Sequence, residues 1–421
     1  MKTRFDAAIV GAGPAGAAAA ILLARAGWSV ALIERQSFPR RKVCGECVAA
    51  SNLDLLDALG IGHTFDALAG AELRRVALMH GGDTIVASLP RGEGGRRRWG
   101  RALGREHLDT LLADAAEAAG ATRLQPWSLH SIDGTAGNFK LKVRAVSSSS
   151  ESVDAGMVDV ELEAGVVIAA HGSWEPLPSE RAERRDSRSP SDLFAFKANF
   201  AATTIAADLL PVLSFAGGYG GMVVADGGLA TLACCVRADR LQALRAAEPG
   251  ARAGDVVEAM LRRECAGVAA ALEGANREGA WLASGPLRPG VRLGRGDGVF
   301  RIGNAAGEAH PIVGEGISMA LQSAFVLAAQ IAPLREQLLC ETGAASAQRR
   351  AIADYEALWR RRFARRLAVA AVFAHAAMRP AIARAAWPLL RRWPGVLTQG
   401  ARFSGKTRCA PEAARLVAAS T

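Results

Sequence analysis

Six residues near the start constrain this chain more than any others. Gly11-Ala12-Gly13-Pro14-Ala15-Gly16 stands between an apolar strand pattern at residues 6–10 and a run of small residues at 17–26. The first glycine permits a tight turn from strand to helix, the second lets the backbone approach a diphosphate, and the third lets helix and strand pack closely. The helix that opens here presents unpaired N–H groups and the positive end of its dipole to a phosphate. The next strand pattern, 29–34, ends on Glu34, eighteen residues beyond Gly16, where a carboxylate accepts hydrogen bonds from adenosine ribose hydroxyls. Strand, turn, helix and strand form one βαβ unit, which predicts an α/β fold with a parallel sheet covered by helices.

A helix is predicted over 105–119, with Leu108, Leu111, Leu112, Ala115 and Ala118 at helical spacing. Strand patterns follow at 140–146 and 158–162, joined by the serine run 147–150 read as a hairpin loop, and then at 165–170. Residues 178–192 are polar and charged, as in a mobile surface loop. The patterns at 194–202, 212–215, 222–225 and 229–236 suggest a mainly antiparallel sheet turning at Gly217-Gly218 and Asp226-Gly227-Gly228. Residues 256–272 read as a helix, 300–303 as a short strand, and 316–334 as a long helix. From 346 onward the chain is helical and basic, broken at Pro380, Pro388 and Pro394. The expected organisation is therefore a discontinuous Rossmann-like nucleotide-binding domain (1–75, 98–176, 285–335), an inserted mainly antiparallel β-sheet domain (76–97, 177–284) and a basic C-terminal helical region (336–421).

The second signal is Gly303-Asn304-Ala305-Ala306-Gly307, running on to Pro311 and Gly314-Glu315-Gly316 before the long helix. The pairing of an N-terminal G-x-G-x-x-G with a late G-D-A-A…P…G-x-G resembles the p-hydroxybenzoate-hydroxylase-like FAD oxidoreductases, and within them the geranylgeranyl-reductase-related branch. The resemblance implies FAD held by Gly11, Gly13, Pro14, Ala15, Gly16 and Glu34 with its neighbour Arg35. It also implies contacts from Gly303, Asn304 and Pro311, with amides near Gly314, Gly316 and Ile317 facing the flavin. Asn304 departs from the family's usual Asp and brings no charge. Arg41-Lys42-Val43-Cys44-Gly45-Glu46 is similar to the family's K-x-C-G stretch, which places Lys42, Cys44 and Gly45 against the flavin. Arg105-Glu106-His107-Leu108-Asp109 resembles an R-x-x-L-D helix start that brings Arg105 to the FAD phosphates. Gly217-Gly218-Tyr219-Gly220-Gly221 is similar to a strand edge flooring the substrate pocket.

Several residues admit two readings. Cys44 and Cys47 form a C-x-x-C that suits either a redox disulfide or a pocket wall. Cys234 and Cys235 point to opposite faces of a strand. His310 either moves a proton or bonds backbone, and Glu315 either reaches the site or caps the helix. Tyr219 is the expected substrate contact, because the glycines around it clear space for a ligand. Catalytic assignments therefore fall on His310, Tyr219 and Cys44; no metal is expected.

His171-Gly172 replaces an Asp-Gly pair linked in flavin hydroxylases to NAD(P)H, the expected electron donor. The implied activity is hydroxylation of a lipophilic polyketide-, aromatic- or isoprenoid-like metabolite. Alkene reduction and non-catalytic flavin binding are the alternatives. Hydroxylation is preferred because Gly220-Gly221-Met222-Val223 replaces the reductases' Trp-x-Phe-Pro-like run, and a halogenase's W-x-W-x-I-P motif is absent.

The formal charge of +10 is concentrated in arginines after 349, with no aromatic platforms or nucleic-acid motif beside it, so nucleic acid is not an expected partner. No uninterrupted apolar run reaches the ~18 residues of a membrane span. The basic tail, which includes Trp387-Pro388-Leu389-Leu390, suits either a solvated face or peripheral contact with an anionic membrane. Seven cysteines and a strand that begins almost at once lead to an expectation of free thiols and a cytoplasmic location, or the inner face of a membrane.

Overall fold

The structure, a computed structural model, describes residues 2–93, 97–146, 159–173, 176–180, 189–340, 342–403 and 405–420. The serine run 147–150 and most of the expected surface loop, 181–188, lie outside the described residues. Strand β1 (Arg4–Val10) leads through the glycine turn into helix α1 (Pro14–Arg25) and on to β2 (Val30–Ile33). A hairpin, β3 (Arg75–His80) and β4 (Asp83–Ser88), precedes α2 (Arg105–Ala118). Next come β5 (Thr122–Leu124), β6 (Trp127–Thr135), β7 (Asn138–Ala145) and β8 (Asp159–Ala169). Five further strands follow: β9 (Leu193–Ala201), β10 (Leu209–Phe215), β11 (Gly218–Val224), β12 (Ala230–Arg237) and β13 (Asn276–Leu287). The chain closes with β14 (Phe300–Arg301), α3 (Gly316–Ile331), α4 (Ala344–Ala377), α5 (Pro380–Arg392), α6 (Gly395–Phe403) and a last helix, Pro411–Ser420.

Two seven-stranded sheets result. The first runs β5-β2-β1-β8-β7-β6, with β14 also paired to β8; it is parallel from β5 to β8 and antiparallel beyond. The second runs β13-β9-β12-β11-β10-β3-β4 and is antiparallel except where β10 meets β3. The fold is thus mixed α/β, a Rossmann-like unit carrying a mainly antiparallel sheet. α1 and α3 are buried along nearly their whole length over the first sheet, where alanines allow their close approach. The helical segment Gly316–Leu339 has the length and hydropathy to cross a membrane, but 72% of its apolar 18-residue window is buried in this core.

Four local readings are corrected. The patterns at 158–162 and 165–170 form one strand, β8, because Gly165 stays extended and leaves room for Leu339. The helix expected over 256–272 breaks at Cys265, whose extended backbone lets Ala266 donate to the Gly81 carbonyl. Pro388 sits inside α5 without ending it. The basic C-terminal region is no appendage: Tyr355, Trp359 and Phe363 of α4 are buried in the core of the first sheet, and Ala374 is buried against the second. Five of these strands were missed: β3, β4, β5, β6 and β13. β13 is an exposed edge without apolar alternation, and β6 is mostly polar.

Candidate functional site

Both glycine motifs converge at the carboxyl ends of the parallel strands. Gly11 has φ +105, and a Cβ there would lie 2.6 Å from the Ala170 carbonyl oxygen. A Cβ on Gly16 would stand 1.8 Å from the Gly11 oxygen. Gly303, φ +57, brings the second motif against the helix N-terminus; its Cβ would meet that of Ala15 at 2.9 Å. These three glycines are needed for chain packing. Gly13 differs. Its backbone is ordinary extended chain, and a Cβ there would find only Arg105 Nη2, at 3.6 Å. The space over Gly13, at the N-terminus of α1, is a cradle between helix amides and a guanidinium.

Three cations surround that cradle. Arg105 is buried and held by Asp109 through bonds of 2.7 and 2.8 Å; burial opposes its charge, but Asp109 keeps its pKa raised. Arg40 lies 3.2 Å from Asp109 and 4.0 Å from Glu34. Lys42 has its pKa lowered to about 8, first by desolvation and then by Arg105 and Arg40. Asp109 and Glu34 leave a net positive pocket, which suits a diphosphate. Glu34 is fastened at the end of β2, accepting from the amides of Ala12 and Gln36, both at 2.9 Å. Arg35 is exposed beside it. The residues therefore fit a dinucleotide. Arg40 was missed by sequence reasoning; the run Arg40-Arg41-Lys42 was its only signal.

Lys42 gives this site a pH dependence. Binding an anion favours the charged amine, so affinity for FAD is constant below pH 8. It falls as pH rises from about 8 toward the higher pKa of the bound state. Fluorescence titration of FAD across that range should show the step, and Lys42→Met should flatten it.

The Asn304 side chain donates to Ser173 Oγ at 2.8 Å, and Ser173 donates to the buried Glu308 at 2.5 Å. Glu308 is neutralised by Arg292, 2.6 Å away. An aspartate at 304 would face Ser173 with no hydrogen left to share, which accounts for the amide. Beside Asn304 lies a cavity of about 250 Å³ lined by His171, Glu180, Arg288, Arg292, Arg295 and Ala305.

At the start of α3, Gly316 is exposed, and a Cβ there or on Gly45 would have no neighbour within 4 Å; Pro311 is exposed as well. Gly314 adopts φ +64, and Ile317 is buried. Glu315 corrects an expectation: it makes no side-chain cap. Its carboxylate is buried, its pKa raised by burial, with Arg366 at 3.7 Å and Lys406 at 3.9 Å. Both cations come from the C-terminal region, to which the sequence assigned no part in the site.

Cys44 and Cys47 are free thiols, so the structure contains no disulfide here. Cys44 Sγ accepts the Glu46 amide at 3.3 Å, and burial raises the Cys47 pKa. Glu46 is buried at φ +57 and accepts from Lys197, Thr231 and the Arg105 amide, tying the flavin-side loop to β9 and β12. Cys47 belongs instead to a small apolar cavity, with Ala49, Ala50, Leu73, Leu89, Pro90, Gly100 and Leu210. Among the described residues that line it, Lys406 is the charged one.

Tyr219 and His310 are brought together, Oη to Nδ1 at 3.1 Å, and both are buried. Burial, and secondarily His375, lower the His310 pKa to about 4, so at neutral pH the ring is uncharged. Neither residue lines the apolar cavity. The glycines beside Tyr219 clear space for protein. A Cβ on Gly218 would lie 2.1 Å from the Phe215 ring, and one on Gly220 would lie 2.8 Å from Cys234. Among the described residues no group of three or more His, Cys, Asp or Glu side chains could hold a metal ion.

Comparison with known proteins agrees with this geometry. A family model described as FAD binding domain matches residues 4–354. A menaquinone reductase of Mycobacterium tuberculosis is 36% identical over 124 residues, covering 28% of each chain. A kynurenine 3-monooxygenase of Stenotrophomonas maltophilia is 35% identical over 139 residues, 31% of this chain and 29% of that one. The chain thus spans less than a third of the length of these curated relatives. Among solved structures, the flavin-dependent brominase Bmp2 superposes with a TM-score of 0.73 at 16% identity, covering 99% of this chain and 98% of that one. A geranylgeranyl bacteriochlorophyll reductase-like protein from Thermoplasma acidophilum gives 0.69 at 17% identity, covering 100% and 96%. At such identities the likeness is one of fold.

Proposed function

The chain belongs to the FAD binding domain family of oxidoreductases and monooxygenases, and on that premise we propose that it hydroxylates a lipophilic aromatic-, polyketide- or isoprenoid-like metabolite with NAD(P)H as electron donor. The observation that carries this reading is the pair of glycine motifs at the FAD cradle. Beside it lies an apolar cavity of about 20 Å³ that must open to take a substrate. One wall, Cys47–Ala50, continues the loop that carries Cys44 and Gly45, and the opposite wall includes Leu210 of the second sheet. FAD, when bound and reduced, supplies the electrons and the means of activating O2. Gly11, Gly13 and Gly16 with Arg40, Lys42 and Arg105 would hold its diphosphate, Glu34 its adenosine ribose, and Asn304 its ribityl side. The amides of Gly314, Gly316 and Ile317 at the N-terminus of α3 would favour negative charge on the ring. One C–H is replaced by C–OH, while O2 and NAD(P)H are consumed and water is released.

The protein's own part is to exclude water and place the substrate. The aliphatic wall does the first. Lys406 does the second, holding a phenolate, hydroxyl or carbonyl head in otherwise apolar surroundings. Lys406→Met should raise KM for such substrates by roughly tenfold, about 1.4 kcal/mol, and should lower stability, because the buried Glu315 then keeps only Arg366. The arginines beside His171 offer the donor's phosphates a basic cavity.

The menaquinone reductase match favours one second reading, reduction of an alkene or quinone. The test is turnover of lipophilic phenols, alkylresorcinols and prenyl compounds with NADPH or NADH under labelled oxygen. Substrate-stimulated NAD(P)H oxidation with label in the product supports hydroxylation. A reduced product without label assigns the enzyme to reduction.

A further inference from the structure

The helices after the core leave one face of the molecule apolar and basic at once. α4 and α5 meet at 102°, so α5 lies across the end of α4, and no side chain of α5 or α6 is buried. Val372 is 69% exposed, Phe403 59%, Trp393 56% and Leu389 49%, unusual values for side chains of this size. On α5, Ile382 and Leu389 are seven residues apart, as are Arg384 and Arg391, so an apolar stripe and a basic stripe lie on opposite faces of the helix. α6 closes on α4 where a Cβ at Gly400 would lie 3.1 Å from the Phe373 ring, which joins the helices into one surface.

The charge on this surface has one sign. Between Glu356 and Glu412 the sequence has twelve Lys and Arg and no Asp or Glu. Arg360, Arg362, Arg366, Lys406 and Arg408 pair with glutamates outside that stretch, and the other seven include Arg384, Arg391, Arg392 and Arg402 of α5 and α6. A second copy of the same face would set these charges against each other. An aqueous acidic partner would leave the indole and phenyl rings unsatisfied. An anionic lipid bilayer accommodates both, with rings at the headgroup boundary and arginines on phosphates.

We propose that α5 and α6 dock the protein on an anionic bilayer. The inner side of α6 extends the consequence, resting on the function proposed above. Leu397 and Ala401 pack on the cluster containing Leu73, Leu89 and Leu210, which line the apolar cavity, and Thr398 donates to the Ser88 carbonyl at 2.6 Å. α6 therefore packs behind residues that line the cavity, between them and the docked bilayer, and a lipophilic substrate would reach the site beside it without crossing water.

The test is co-sedimentation of the full-length holoprotein with vesicles of phosphatidylcholine alone or mixed equally with phosphatidylglycerol. Binding is expected to the mixed vesicles only and to be released by salt. Trp393→Ser/Phe403→Ser and Arg391→Gln/Arg392→Gln should each weaken it by about tenfold or more with FAD content unchanged. Wild-type protein left in the supernatant with both vesicles overturns the proposal. So does equal, salt-insensitive binding to both, or a solution dimer that Trp393→Ser dissociates. Docking that persists while vesicle-borne substrates are not turned over upholds this proposal and removes the lipophilic substrate from the preceding one.

Discussion

Gly13→Val is expected to yield a folded, colourless protein. The substituted Cβ meets nothing closer than Arg105 Nη2 at 3.6 Å, and the backbone at 13 is one any residue adopts. Nothing in the protein has to move to admit the Cβ. What the side chain fills is the cradle in which helix amides and Arg105 would receive the diphosphate. FAD affinity should fall at least a hundredfold, about 2.7 kcal/mol, read as loss of flavin absorbance from purified protein with circular dichroism preserved. Gly16→Val is the control that separates cradle from scaffold. Its Cβ would stand 1.8 Å from the Gly11 carbonyl, so the turn itself gives way and the protein should be recovered poorly or unfolded. Undiminished flavin in Gly13→Val would remove the diphosphate from this end of α1.

The second large effect is expected at Lys197. It is wholly buried in β9 and paired with Glu46, which is also buried and holds a backbone conformation, φ +57, that residues other than glycine rarely adopt. Lys197→Met removes the cation and leaves a desolvated carboxylate supported only by Thr231 and the Arg105 amide. Breaking one side of such a pair costs about 3–5 kcal/mol, so the thermal midpoint should drop markedly. Lys197→Met/Glu46→Gln should recover part of the loss, because the stranded charge is gone; a double-mutant cycle gives the coupling. A single variant as stable as wild type would mean that the pair with Lys197 does not hold this loop in place. Flavin should loosen as well, since Glu46 anchors the first residue of α2, Arg105.

How far this could be read from the sequence depends on the reach of each interaction. The turn at Gly11–Gly16, with Glu34 after it, is a local arrangement whose spacing carries its geometry. The late glycine motif was equally readable, and the contact of Gly303 with Ala15 shows why both motifs occur in one chain. Cys234 and Cys235 do fall in different clusters on opposite faces of β12. Long-range pairings left weaker traces. Lys197 stood out only as a lone charge in an apolar strand, and nothing in Cys44-Gly45-Glu46 announced its partner 151 residues away. The glycines around Tyr219 were misjudged because a missing side chain makes room equally for a ligand or for a neighbouring strand. Arg366 and Lys406 escaped notice because their role is fixed by where α4 carries the chain.

That helix has a mechanical consequence. Many two-part enzymes admit substrate by swinging one half about a hinge. Here a single 34-residue rod is embedded in both halves, and Glu46 pins them together near the flavin-side loop. Traffic into the chamber then depends on small displacements at its outer wall, where α6 is held by a few aliphatic contacts and one hydroxyl, rather than on motion of the halves themselves.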